Sequence, residues 1–352
     1  MKKILSLCIT LLLFLGMLPC TSVFASENAS STKTTEEVEN VLTNYFDNLL
    51  SIKKDLCVSE NDAILPNSSL DEYNKLLSET TVRWFEGVNQ QLEWYNLSTK
   101  INSLKNENNL VKVDVDLTVN CQYEDTDSDS GYTDNHILYL KQVDDKLYVE
   151  KDIFEIDMKA TDVEKNIKSI GGYDKYISKK INEQKTKHKT LNKDLKVRTL
   201  EEQNYIAYRS SGSYNRNAAS KWALSNVYSD EDYEDNDCTN FVSKALNMGG
   251  ISTSSTWRPG SNAWIRVIEL RSYLINNDIA TQYSNSGSSQ LGDVIQLYNK
   301  QNGVWSHSVM VTMKSGGNTY VSAHSRAYWN RAFDEYYPSS TYSKCRVLHI
   351  TY

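Results

Sequence analysis

Asp237-Cys238-Thr239-Asn240-Phe241-Val242-Ser243 decides how the C-terminal half of this chain is read. Three capping-type residues, Asp235-Asn236-Asp237, precede an apolar stripe of Phe241, Val242, Ala245 and Leu246 at helical spacing, and Gly249-Gly250 supplies a stop. The pattern predicts a helix with Cys238 in its first turn. A cysteine there sits in the positive end of the helix dipole, which makes thiolate available near neutral pH. The same cysteine lies three and four residues before Phe241 and Val242, so it also suits a small buried core position. On this segment alone both readings stand.

Working outward, Asn215 can cap a helix carrying Ala218, Ala219, Trp222 and Ala223. Trp257-Arg258-Pro259-Gly260 reads as a loop, and Ser261 as the cap of a helix with Trp264, Ile268 and Leu274. Strands are predicted at residues 293–298, 307–313, 319–324 and 346–352. Helices first and an antiparallel sheet second give an α+β domain.

Two of its strands carry histidines. His307-Ser308-Val309-Met310-Val311 and Tyr320-Val321-Ser322-Ala323-His324 flank Lys314-Ser315-Gly316-Gly317. A two-residue turn at Ser315-Gly316, or a four-residue loop over residues 314–317, pairs Val311 with Tyr320, Val309 with Ser322 and His307 with His324. The two rings would then share one face with Cβ atoms about 5 Å apart, and a slip of one residue would turn them to opposite faces. Cys238 as nucleophile, His307 as base and His324 as the group that holds the base make up the logic of nucleophilic acyl transfer. The backbone N–H of Cys238 would serve as an oxyanion donor. The same three side chains are zinc-ligand types, so a zinc-dependent amidase is an alternative. His136, His188 and His349 fall in a first-domain strand, a connector and the terminal strand, and receive no role in the chemistry.

The N-terminal half has its own pattern. Val38, Val41, Leu42, Tyr45, Phe46 and Leu49 form a helical stripe over residues 35–54, with Thr35 as cap, and a second helical region covers residues 70–94. Val111, Val113, Val115, Leu117 and Val119 alternate with polar residues, and strands at 137–143 and 146–156 follow, joined by Asp144-Asp145. This order resembles, in architecture alone, the cystatin-like cone shared by SnoaL-like domains. Asp125-Thr126-Asp127-Ser128-Asp129-Ser130-Gly131 approaches a calcium loop, but its glycine arrives one residue late and His136 stands where the bidentate glutamate belongs. It reads as a solvated hairpin tip. The lysine-rich segment with Lys179-Lys180, Lys185, Lys187 and Lys189 reads as a solvated helical connector rather than a strip for an anionic polymer.

The chain has 352 residues, 39% of them hydrophobic, and a net charge of −7, which suits two packed domains and gives no push toward nucleic acid. Lys2-Lys3, an apolar run over residues 4–18 and Val23-Phe24-Ala25 read as a secretory signal cleaved after Ala25. The run falls short of the roughly 20 residues of a membrane span, so a secreted protein without a span is expected. Residues 26–34 read as a disordered entry. Of six cysteines, Cys8 and Cys20 leave with the signal. Cys57, Cys121, Cys238 and Cys345 allow three disulfide connectivities. The expected division is a signal at 1–25, an accessory α+β domain at 35–160, a helical connector at 161–204 and a second α+β domain at 205–352.

Six ordered blocks of the second domain resemble the putative amidase domain of Gram-positive secreted proteins, a family similar to papain-like cell-wall amidases of the NlpC and CHAP type. They are Tyr214-Asn215-Arg216-Asn217-Ala218-Ala219, the Cys238 block, the Trp264 helix, Leu291-Gly292-Asp293-Val294-Ile295, His307-Ser308-Val309-Met310-Val311 and Ser322-Ala323-His324-Ser325. The resemblance covers roughly residues 214–352. It implies a papain-like fold, Cys238 as nucleophile, His307 as base, no cofactor, and an amide substrate in peptidoglycan or a peptide. Related families use His, Asn, Gln or Glu in the third role. This chain has Leu291 where the family usually has proline, and Gln301-Asn302-Gly303-Val304-Trp305 in place of a longer acidic loop. A wall-binding protein of this fold without activity is the remaining alternative.

Overall fold

The computed structural model describes residues 24–203, 213–233, 237–284, 286–324 and 326–352. Residues 1–23 of the segment read as a signal, Asp235-Asn236 of the stretch read as a cap, and Ser325 lie outside the described residues. Helix α1 (Phe24–Asp55) begins ahead of the expected start at Thr35 and runs through the segment read as a disordered entry. Alanine and glutamate in that segment are good helix formers, and the helix nucleated by the apolar stripe extends back through them. Val38, Leu42, Tyr45 and Phe46 of the stripe are buried, as the spacing requires.

The helix expected over residues 70–94 is shorter. Helix α2 (Ser69–Gly87) is capped by the Ser68 hydroxyl and gives way at Asn89, which takes a positive φ of 50°. The chain then enters a long strand, β1 (Leu92–Glu107), which sequence reading missed: Tyr95, Leu97 and Ile101 alternate but are only half-buried, and a bulge after Ile101 puts Leu104 out of step. Strands β2 (Leu110–Tyr123), β3 (Ser130–Val143) and β4 (Lys146–Ile153) complete an antiparallel meander. Val113, Val115, Leu117 and Val119 of β2 face the core, and Asp144 at a φ of 52° turns the β3–β4 hairpin.

Helices α3 (Ala160–Ser169) and α4 (Tyr173–Gln203) follow. The lysine-rich α4 is helical as expected but is not simply solvated. Ile177, Ile181 and Leu191 are buried, Lys185 pairs with Glu72 of α2, and Lys180 pairs with Glu155 at 3.3 Å. Helix α5 (Arg216–Ser225) is capped by the Asn215 side chain, and α6 (Asp237–Met248) is the predicted cysteine helix, ended at Gly249-Gly250 with Gly250 at a φ of 103°. The helix expected after Ser261 is broken at extended Arg266 into α7 (Asn262–Ile265) and α8 (Val267–Asn276).

The remaining elements are β5 (Ala280–Tyr283), β6 (Val294–Asn299), β7 (Val304–Ser315), β8 (Asn318–Ala323), β9 (Tyr328–Ala332), α9 (Phe333–Tyr336) and β10 (Tyr342–Ile350). The strands of both halves join in one sheet of order β1-β2-β3-β9-β8-β7-β6-β10-β5, with β4 pairing β3 off this path. The seam is the antiparallel pairing of Gly131 with Trp329 and Tyr132 with Tyr328. The fold is therefore α+β built on a large antiparallel sheet. One buried cluster runs from Val38 and Phe46 through Val119 to Val309, Tyr336 and Val347, so the halves also share a core. A second cluster packs α5, α6 and α8 under the other face, around Phe241, Trp257 and Leu270. Among the described residues no helix is long and apolar enough to cross a membrane, and no disulfide joins the four cysteines.

Candidate active site

Asp237 opens α6 and fixes its start. Its Oδ1 accepts the backbone N–H groups of Asp232 and Tyr233 at 3.0 and 3.2 Å and the Asn240 amide at 2.8 Å. Asn240 in turn accepts the Trp264 indole N–H at 2.7 Å. Cys238 follows in the first turn, 7% exposed, with its sulfur 3.7 Å from the Thr239 hydroxyl and 4.0 Å from the Ser306 carbonyl oxygen.

His307 meets this cysteine from β7. The pairing of β6 with β7 runs from Leu297–His307 to Tyr298–Trp305, leaving Ser306 as a bulge immediately before the histidine. Bulges re-aim side chains next to functional groups. The His307 imidazole faces the Cys238 thiol closely enough that each shifts the titration of the other. Its Nε2 lies 2.9 Å from the Tyr336 hydroxyl and 3.6 Å from Asp157 Oδ2, which leaves Nδ1 for the cysteine. Tyr342 donates its hydroxyl to Asp157 Oδ2 at 2.9 Å, and its ring stacks on that of Tyr336.

The electrostatics follow from these contacts. Burial alone would raise the Cys238 thiol. The His307 charge, the Ser308 backbone and the Thr239 hydroxyl outweigh it and hold the thiol below its ordinary value. Burial would lower His307, but the Asp157 carboxylate and the Cys238 sulfur push the imidazole up to about 9. Cysteine and histidine thus favour the thiolate–imidazolium form together.

His324 does not stand where the hairpin register predicted. The β7–β8 turn is Gly316-Gly317, with φ of 51° and 83°, and Ser315 pairs with Asn318. Glycine at both central positions meets the positive-φ demand of a tight hairpin turn better than Ser315-Gly316. A bulge at Thr312 then shifts the register again, so that Val311 pairs with Val321 and Met310 with Ser322. This frame leads His324 toward Ser308 rather than His307. His324 lies just beyond the end of β8, where its Nδ1 meets Asp237 Oδ2, its Nε2 donates to the Ser229 carbonyl at 2.8 Å, and its ring stacks on Phe241. Both nitrogens face acceptors, so this ring is held as a charged anchor for the start of α6. The zinc set of Cys238, His307 and His324 is undone by the same geometry. Among the described residues no group of three His, Cys, Asp or Glu side chains is placed to hold a metal ion.

His349 is structural as expected, buried with Nδ1 2.9 Å from Asp293. Sequence reading missed Asp157, Tyr336 and Tyr342. The tyrosines lie in or beside short elements without periodicity, and Asp157 is one acidic residue among many in the other half of the chain. A cavity of about 1160 Å³ lies between α1, α2, α4 and β3, and neither Cys238 nor His307 lines it.

A helix-start thiol beside a strand imidazole has the parts that a nucleophile–base pair needs. The family described as "Putative amidase domain" matches residues 199–348, a range that holds Cys238, His307, Tyr336 and Tyr342 but not Asp157. At that level the match suggests amide hydrolysis. The chain is also similar to a Bacillus subtilis (strain 168) protein titled "Uncharacterized protein YjcM". The two are 34% identical over 120 residues, a match spanning 30% of this chain and 29% of that relative. No solved structure matches the chain.

Proposed function

We propose that this protein is a secreted, cysteine-dependent amidohydrolase that cuts an amide bond in peptidoglycan, with a papain-like C-terminal half and a cystatin-like N-terminal one. The observation that carries the reading is the Cys238–His307 pair. The thiol sits at a helix start, its pKa is lowered against the cost of burial, and the imidazole that faces it is pushed up to about 9.

The chemistry follows from that pair. The Cys238 thiolate attacks the amide carbonyl carbon and forms a C–S bond. The oxygen that gains charge is met by the Cys238 backbone N–H, one of the unpaired donors of the first helical turn. The His307 imidazolium gives its proton to the leaving nitrogen as the C–N bond breaks. Water then attacks the thioester, giving a proton to neutral His307. The C–S bond breaks to release the acid and restore the thiolate–imidazolium pair. The extracellular setting and the wall substrate are supported by the signal-like N-terminus and by the resemblance of the second-half blocks to secreted wall amidases.

The test uses isolated Gram-positive cell wall and mass spectrometry of the released fragments. Wild-type protein should release peptide or amino-sugar fragments, and iodoacetamide or Cys238→Ala should each abolish release. Full activity in the alanine variant would overturn the cysteine mechanism. Binding to wall without release by the wild type would point to a silent wall-binding protein.

A further inference from the structure

His307 is held from four elements, and one of them belongs to the other half of the chain. Cys238 reaches it from α6, Tyr336 from α9, Tyr342 from β10, and Asp157 from the turn between β4 and α3. Tyr328 of β9 packs edge-on against Tyr336 at 5.4 Å between ring centroids and adds no charge at neutral pH. Asp157 therefore supplies the carboxylate nearest the imidazole. It is 7% exposed, and its Oδ1 is buried with no hydrogen-bond partner. A buried carboxylate satisfied chiefly through one oxygen is costly unless a positive charge compensates it. The imidazolium 3.6 Å away is that charge.

The turn carrying Asp157 is built to stay in place. Asp157 adopts a positive φ of 62°. The residues before it are pinned from both sides. Lys180 and the Tyr176 hydroxyl each donate to the Phe154 carbonyl at 2.8 Å, Ser340 bonds Glu155, and the Thr341 hydroxyl donates to the Ile156 carbonyl at 3.4 Å. The first two donors come from α4 and the last two from the loop that leads into β10. A positive-φ turn position suits glycine, asparagine or aspartate, and here the residue is an aspartate whose carboxylate meets the histidine of the other half.

We infer that Asp157 is the positioning residue of the catalytic centre: the N-terminal half completes the cysteine–histidine site by holding and charging His307 through its carboxylate and the hydroxyls of Tyr336 and Tyr342. The inference rests on the proposed cysteine mechanism and deepens it. A carboxylate 3.6 Å from Nε2 favours a proton on that nitrogen, and the Tyr336 hydroxyl 2.9 Å away can accept its hydrogen bond, which leaves Nδ1 as the nitrogen that serves the sulfur. The third role expected of His324 falls to a residue some 80 positions upstream of the nucleophile (238 − 157 = 81) and outside the range the family matches.

The experiment compares full-length wild type, Asp157→Asn and Asp157→Glu. The asparagine keeps an acceptor for the Tyr342 hydroxyl and removes the charge. Two readouts are taken: the NMR titration of the His307 ring, and the pH dependence of kcat and KM for hydrolysis. In wild type the imidazole should titrate near 9. In Asp157→Asn the midpoint and the alkaline limb of kcat should both move acidward by about one pH unit or more. At pH 8 kcat should fall by about 100-fold with KM little changed, and Asp157→Glu should recover part of the loss. A purely structural role would lower stability and leave both midpoints in place. Superimposable His307 titrations in wild type and Asp157→Asn would overturn the inference. The ring titration does not depend on turnover, so an active Cys238→Ala variant would sink the cysteine mechanism without deciding the His307–Asp157 coupling.

Discussion

His307 and His324 sit close together in sequence, and what their nitrogens touch separates their roles. His307 has one nitrogen 2.9 Å from a tyrosine hydroxyl and shares its charge balance with the Cys238 sulfur. His324 offers both its nitrogens to acceptors, the Asp237 carboxylate and the Ser229 carbonyl. Burial works against a charged His324, but the hydrogen bonds it donates to the Asp237 carboxylate and the Ser229 carbonyl raise its pKa. Burial likewise works against a charged Asp237, and His324 and Asn240 lower its pKa. The signs give a stability window. The Asp237 contribution is present above its unfolded value of about 3.9 and is lost as pH falls through its lower folded value. The His324 contribution is complete below its unfolded value of about 6.5 and is lost as pH rises through its raised folded value. The pair therefore stabilises most between about pH 4 and 6.5. His324→Ala should cost about 3 kcal/mol in urea unfolding at pH 5.5, less at pH 9, and should leave the His307 titration where it is. A variant of full stability with a displaced His307 titration would return His324 to the orienting role.

At the scale of elements, hairpins decided the outcome. The cysteine helix, the Asn215 cap and the alternation of β2 were legible because each rests on local periodicity or capping. The β7–β8 register was not legible, since it depends on which two residues take positive φ and on bulges at Ser306 and Thr312. Backbone irregularities of this kind leave no mark in hydrophobic pattern. Asp157 was out of reach for a different reason: only the seam between β3 and β9 brings its half of the chain to His307. That seam depends on Gly131. A Cβ there would lie 2.1 Å from the Trp329 ring and 2.6 Å from the Val119 carbonyl oxygen. The ring could turn away, but the backbone oxygen is part of the β2–β3 ladder and cannot move far. Gly131→Ala should destabilise the protein by about 2–3 kcal/mol in chemical denaturation. A loss below about 0.5 kcal/mol would mean that the seam yields easily.

At the scale of the molecule, one sheet and a buried cluster common to both halves should make them unfold as a single unit. Strand pairing passes from β1 to β5 without a break, and the cluster holding Val38 and Val119 also holds Val309 and Val347. Two domains joined by a linker would open separately, whereas a shared sheet should open at once. The chain carries a reporter in each half. Cys121 on β2 is 2% exposed, its thiol pushed up to about 12 by burial and by nearby Glu335, and Cys238 is 7% exposed on α6. In the native state Cys121 should resist alkylation by burial and lack of thiolate, and Cys238 should react at a rate set by access to its thiolate. In rising urea, a brief alkylation pulse read by peptide mass spectrometry should show Cys121 becoming reactive at one midpoint. The loss of the distinctive low-pH reactivity of Cys238 should fall at that same midpoint. Coincidence is expected because losing the N-terminal core removes Asp157, the β3 edge and half of the shared apolar surface together. If Cys121 were alkylated in urea that leaves Cys238 native-like, the halves would be independent. His307 would then have to keep its charge without the carboxylate that the other half provides.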